Sequence, residues 1–142
     1  MAISNIIAVI AIVYFILQPF RAEPPTPAVS AGETSIPTTQ GSFCWDGILR
    51  AQCVDKVYTS VLDMGKEHQP TVVSQNEKIK VKFNKQPGAL EVEQWVGEEQ
   101  IEKVEVKDQY IVVPKDEGVY VYHILANWKR GNGNYVFSVE VK

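Results

Sequence analysis

A mainly β chain, folded as an antiparallel sandwich and preceded by one N-terminal transmembrane helix, is the architecture this 142-residue sequence predicts. Three observations carry the prediction. From Pro70 onward the apolar residues recur with period two in short runs separated by turn residues, the pattern of half-buried strands in antiparallel sheets. Asp116-Glu117-Gly118-Val119-Tyr120 joins turn chemistry to a tyrosine entering the next strand, where its hydroxyl can reach back to the backbone just crossed. The block from Ala2 to Phe20 contains no charged residue and is long enough, as a helix, to cross a hydrocarbon core of about 30 Å.

The spacing Asp116-x-Gly118-x-Tyr120 resembles the tyrosine corner at the E–F junction of immunoglobulin-like sandwiches. Strand count alone also admits a barrel, and the corner selects the sandwich. Two positions beyond Tyr120, where antibody domains place a core cysteine, stands Tyr122, so the likeness implies the wider architecture without its inter-sheet disulfide.

Taken in order, residues 1–21 are expected to be a membrane anchor or an uncleaved signal, with the helix running from Ile3 to Phe20. No Lys or Arg precedes the apolar run, and the small-x-small site Val29-Ser30-Ala31 lies about ten residues beyond it, so retention is favoured over cleavage. Residues 22–40, dominated by Pro, Ser, Thr and small residues, have little to bury and read as a spacer. Residues 41–142 make up a unit of the size of one small sandwich, opened by a cysteine loop. Cys44 and Cys53 are the only cysteines; a bridge between them closes a short loop, and two reduced, buried thiols are the alternative. Their spacing excludes a Cys-x-x-Cys redox motif.

Val54 to Met64 shows the i, i+3, i+4 rhythm of a short helix stopped by Gly65, with an irregular loop as the alternative. Strands are expected at Thr71 to Val73, at Lys78 to Phe83 with Ile79, Val81 and Phe83 inward, at Leu90 to Val96, at Ile101 to Val106 and at Tyr110 to Val113, where Pro114 ends the ladder. From Val119 to Trp128 both faces are largely apolar, which predicts a central strand with something packed on each side. Arg130 to Asn134 is expected to be a hairpin turn, leading into a strand with Tyr135, Phe137, Val139 and Val141 inward.

The net charge of −3 and the absence of a basic stripe exclude a nucleic-acid-binding reading. No Gly-rich phosphate loop, nucleophile elbow or metal-ligand spacing occurs, so no catalytic residue, metal or cofactor is assigned. His68 lies in a polar turn. His123 sits on a strand face between Val121 and Leu125, where a hydrogen-bonded structural histidine is expected. What remains is a candidate binding surface of Phe43, Trp45, Arg130 and Asn132, with Trp128 assigned to the core. The expected partners are the membrane, through the helix, and a cell-surface protein or glycan. These features describe a non-enzymatic, membrane-tethered accessory or binding domain; a small envelope enzyme or redox factor, or a protease inhibitor presenting its loops, are the rival classes.

Gly41-Ser42-Phe43-Cys44-Trp45 with Cys53, and Tyr120-x-Tyr122 followed by Trp128-x-x-Gly131 and Tyr135-x-Phe137-x-Val139-x-Val141, resemble small, uncharacterised surface-attached proteins of Gram-positive bacteria. The resemblance covers most of residues 41–142 and implies an extracytoplasmic immunoglobulin-like domain on a single-pass chain in the cell membrane. It implies no activity.

Overall fold

Burial alternating along the chain builds two antiparallel sheets in the computed structural model, which describes residues 2–17 and 23–142. The strands are β1 (Ala28–Ala31), β2 (Thr34–Ile36), β3 (Thr39–Gln40), β4 (Phe43–Asp46), β5 (Ala51–Val54), β6 (Thr71–Val73), β7 (Lys78–Lys82), β8 (Ala89–Val96), β9 (Gln100–Val104), β10 (Tyr110–Val112), β11 (Gly118–Trp128) and β12 (Gly131–Val141). Among the described residues two helices accompany them, α1 (Ala2–Leu17) and the single-turn α2 (Val61–Gly65).

The smaller sheet has the order β10-β7-β1-β2. The larger one runs β5-β4-β12-β11-β8-β9, with β3 and β6 also pairing along β12. All pairings are antiparallel except β6 with β12, where Val139, Glu140 and Val141 face Thr71, Val72 and Val73 in parallel register. β11 and β12 are paired along their whole length, from Gly118 opposite Val141 to Trp128 opposite Gly131.

Val29, Ile79, Val81 and Ile111 of the smaller sheet meet Val92, Tyr122, Ile124, Tyr135, Phe137 and Val139 of the larger one in a single core. Each fully buried side chain of this size contributes about 1.5–3 kcal/mol relative to exposure. Aromatic rings fix one end of that core: Phe83 meets Trp128 and Tyr135 edge-on at centroid distances of 5.3 and 5.9 Å, and Trp128 meets Trp45 at 5.6 Å. Such edge-to-face pairs add specificity to simple area burial. At the corner before β11, the Tyr120 hydroxyl donates to the Asp116 carbonyl at 2.8 Å, and Gly118 holds φ at 153°, a conformation that disfavours a side chain.

The stretch read as a spacer is, from Ala28 onward, part of the fold. Val29, Ala31, Ile36 and Thr39 are buried in alternation, and β1 inserts between β2 and β7. Small residues suffice there because the sheet supplies the backbone partners, so a composition poor in large apolar groups did not prevent strand formation. The β unit therefore begins before residue 41. The helix expected from Ile3 is present over Ala2–Leu17, while Gln18 to Phe20 lie outside the described residues. At 1.5 Å per residue its 16 residues measure about 24 Å. Among the described residues no helix is long and apolar enough to cross a membrane.

Two local expectations also shift. The segment expected to turn helical at Val54 is still strand there and turns only at Val61, where the Ser60 hydroxyl caps α2 by accepting from the Asp63 amide at 3.0 Å. The hairpin turn is confined to Lys129-Arg130, since Gly131 already pairs with Trp128. Gly131 is needed for a different reason than turn geometry: a Cβ at this position would collide with the Cys44 carbonyl oxygen of the neighbouring β4.

Candidate functional site

The larger sheet turns one face to the core and leaves the other to be covered or exposed. On β11 that second face carries Val119, Val121, His123 and Leu125, and cross-strand register adds Trp95, Glu93 and Glu91 from β8, and Ser138, Val136 and Asn134 from β12. Residues directly opposite across an antiparallel pair share a face, so three zones follow one another along it.

At one end α2 packs on this face, with Met64, Val121 and Val136 buried together and Tyr58, Val61, Leu62 and Trp95 against them. Beside the packed cluster a recess of about 440 Å³ opens between the α2 turn and the sheet. Leu62, Gly65 and Pro70 line it from the α2 side, Trp95, Val119 and Val121 from the sheet, and Lys66, His68 and Gln69 add polar groups. Gly65 fits against Val121 so closely that a Cβ would approach it to 3.1 Å. The indole Nε1 of Trp95 is buried without a hydrogen-bond partner among the described residues, and leaving such a donor unpaired costs about 1–3 kcal/mol. Val119 is half exposed, and Ile101, opposite Trp95 on β9, extends the apolar surface beyond the recess.

The middle zone is polar and self-satisfied. His123 Nδ1 lies 3.1 Å from Glu93 Oε1, and its Nε2 lies 3.1 Å from Asn134 Oδ1. The Asn134 Nδ2 donates to the Ser42 carbonyl at 2.6 Å, which orients the amide oxygen toward the histidine. This chain of contacts links β8, β11, β12 and the segment before β4. Both ring nitrogens are thereby engaged in cross-strand bonds, to a carboxylate and an amide.

At the far end, Cys44 and Cys53 stand directly opposite each other on β4 and β5 and are joined by a disulfide. A smaller recess of about 290 Å³ lies between this hairpin and Arg130-Gly131. Of the four residues expected to form a binding surface, two are core: Phe43 and Trp45 are only 5% and 6% exposed. The reason is alternation, because β4 turns Phe43 and Trp45 inward and Cys44 and Asp46 outward. Arg130 is half-buried, its Nε donating to the Asp46 carbonyl at 2.8 Å and its guanidinium lying over the Trp45 ring. Asn132 is exposed, and its Oδ1 accepts from the Cys44 amide at 3.4 Å. The structure thus brings Trp45, Arg130 and the disulfide together, but as a packed hairpin base.

The recess under α2 is the feature that residue-by-residue reading passes over. Its signal in the sequence is the apolar outer face of β11, which calls for a covering element without naming it. Among the described residues no group of three His, Cys, Asp or Glu side chains is placed to hold a metal ion. Compared with known proteins, the chain matches no family model, and neither a curated protein nor a solved structure gives a significant match.

Proposed function

We propose that this chain is a non-enzymatic binding domain of immunoglobulin-like sandwich type, held at the outer side of a membrane by its N-terminal helix. The observation that carries the binding reading is the recess under α2. Its volume of about 440 Å³ falls in the range of small-ligand sites, and Leu62, Pro70, Trp95, Val119 and Val121 give it an apolar lining. An apolar group suits that lining, whether a side chain of a surface protein or a small molecule. The polar groups with chemical potential, Glu93 and His123, are committed to each other and to Asn134. Tethering is supported by α1, whose Ile, Val and Phe side chains are exposed on every side beyond the polar Ser4 and Asn5 of its first turn, and by a disulfide of the kind that persists in oxidising compartments.

The dye 1-anilinonaphthalene-8-sulfonate, an aromatic body with an anionic acceptor, tests the site. Saturable binding with a stoichiometry near one, lost in Val119→Arg while the far-ultraviolet circular dichroism is unchanged, is the expected result. Dye binding that is absent, or indifferent to Val119→Arg, refutes the recess as a binding site. Orientation is tested separately: protease added to intact cells should remove the β unit, and protection until lysis contradicts the outer location.

A further inference from the structure

The end of the β unit at which the N-terminal chain enters carries an apolar tip among loops that bear cations. The turn between β4 and β5 is closed by a Gly47 amide donating to the Arg50 carbonyl at 2.8 Å, and it presents Ile48 and Leu49 at 57% and 79% exposure. The disulfide at its base and the Asp46 amide bond to the Arg130 carbonyl at 2.6 Å fix the hairpin to the β11–β12 turn. The loop before β8 joins the same end, because the Trp128 indole donates to the Lys85 carbonyl at 2.9 Å and the Gly88 amide to the Asn127 carbonyl at 2.8 Å. These three loops carry Arg50, Lys85, Lys129 and Arg130 against the carboxylate of Asp46, with Glu23 on the entering N-terminal chain a further acid of this end, in a chain whose net charge is −3.

The N-terminal chain enters the β unit at this same end. The Tyr135 hydroxyl donates to the Pro25 carbonyl, and Pro24 packs at Gly133, three residues or about 10 Å along the strand from Arg130. Between Leu17 of α1 and Glu23 only residues 18–22 intervene, a covalent reach of at most about 20 Å.

We infer that the Ile48–Leu49 tip docks on an anionic lipid surface, the two aliphatic side chains entering the interfacial layer while Arg50, Lys85 and Lys129 meet the headgroups. The inference rests on the tethering proposed above, since a membrane that holds α1 lies within reach of this end. Charge complementarity and the position of the tether favour a bilayer over a protein as the occupant. A preformed, disulfide-closed hairpin loses little conformational freedom on insertion. Each cation near such a surface favours the docked state by roughly fivefold.

The test is hydrogen–deuterium exchange on the full chain reconstituted in vesicles of phosphatidylcholine, alone or with phosphatidylglycerol. Protection of α1 in both vesicles reports the tether. Slower exchange at residues 46–51 only with the anionic lipid, abolished by Ile48→Ser/Leu49→Ser and reduced roughly fivefold by Lys129→Gln, supports docking. A tip that exchanges equally in both vesicles while α1 stays protected overturns the docking and leaves the tether standing. Absence of α1 protection removes the tether and the inference together. Protection that requires added membrane protein assigns the tip to a protein partner and overturns the lipid reading.

Discussion

Replacing Tyr120 by Phe isolates the corner hydrogen bond from everything else the residue does. The ring is 7% exposed and keeps its core contacts in the variant, so only the bond from its hydroxyl to the Asp116 carbonyl, 2.8 Å long, is lost. Asp116 is exposed, so its carbonyl regains water, and the expected cost is the net value of one hydrogen bond, about 0.5–1.5 kcal/mol. Tyr122→Phe is the matched control. Tyr122 is fully buried and donates to Gln94 Oε1 at 2.9 Å, so its loss strands a half-buried amide oxygen and costs about 1–3 kcal/mol. Guanidinium unfolding reads both, provided the m-value stays constant so that a change in midpoint is a change in stability. In thermal unfolding the corner variant should melt about 2–7 °C lower. An unchanged midpoint for Tyr120→Phe, or a cost exceeding that of Tyr122→Phe, refutes the assignment of Tyr120 as a corner tyrosine.

Three further outcomes follow from the same structure. Burial pushes the Tyr135 phenol up to about 12 from its ordinary 10, and desolvation with the nearby Tyr120 raises Tyr122 as well; both must stay protonated in the fold. Stability should therefore be whole below pH 10 and fall above it by about 1.4 kcal/mol per pH unit for each tyrosine, and a flat denaturation midpoint between pH 10 and 12 contradicts this. Alkylation under non-reducing conditions should find no free thiol by mass spectrometry, and Cys44→Ser/Cys53→Ser should lower stability by about 2.5–3 kcal/mol through the loop it reopens; two modified cysteines would disprove the bridge. Ser60→Ala removes the α2 cap at a cost of about 1 kcal/mol, read as faster amide exchange at Asp63 and Met64, with unaltered exchange as the contrary result.

The strands with strong alternation are legible in the residue pattern itself. Lys78 to Phe83 buries Ile79, Val81 and Phe83 as that pattern requires, and β12 hides Tyr135, Phe137, Val139 and Val141. The Tyr120 hydroxyl bond and the Cys44–Cys53 pairing follow from spacings visible in the chain. What escapes such a reading is non-local. β1 reads as a linker because its own side chains are small and, although β2 pairs with it locally, its other backbone partner, β7, lies some fifty residues downstream. Phe43 and Trp45 look available for contact because an aromatic pair beside a cysteine loop gives no period of its own; their neighbours are Trp128 and the rest of a core assembled from distant strands. The partners of His123 belong to the same class, since Glu93 and Asn134 become neighbours only through strand register.

One side of β12 is bordered by three different segments in turn: β4 at Gly131 and Asn132, β3 at Tyr135 and Val136, and β6 at Val139 to Val141. All three precede it in the chain, and β3 and β6 have no other strand partner among the described residues. During synthesis β3 and β6 wait, unpaired, for a strand that does not yet exist, while β4 has β5 alone. A nascent chain halted before Gly131 leaves β3 and β6 as open templates, and ordering arrives as a late, concerted closure with a high sequence separation between partners. The unit therefore closes only when its last strand arrives, and trimming β12 from its far end should release β6 before β3 or β4.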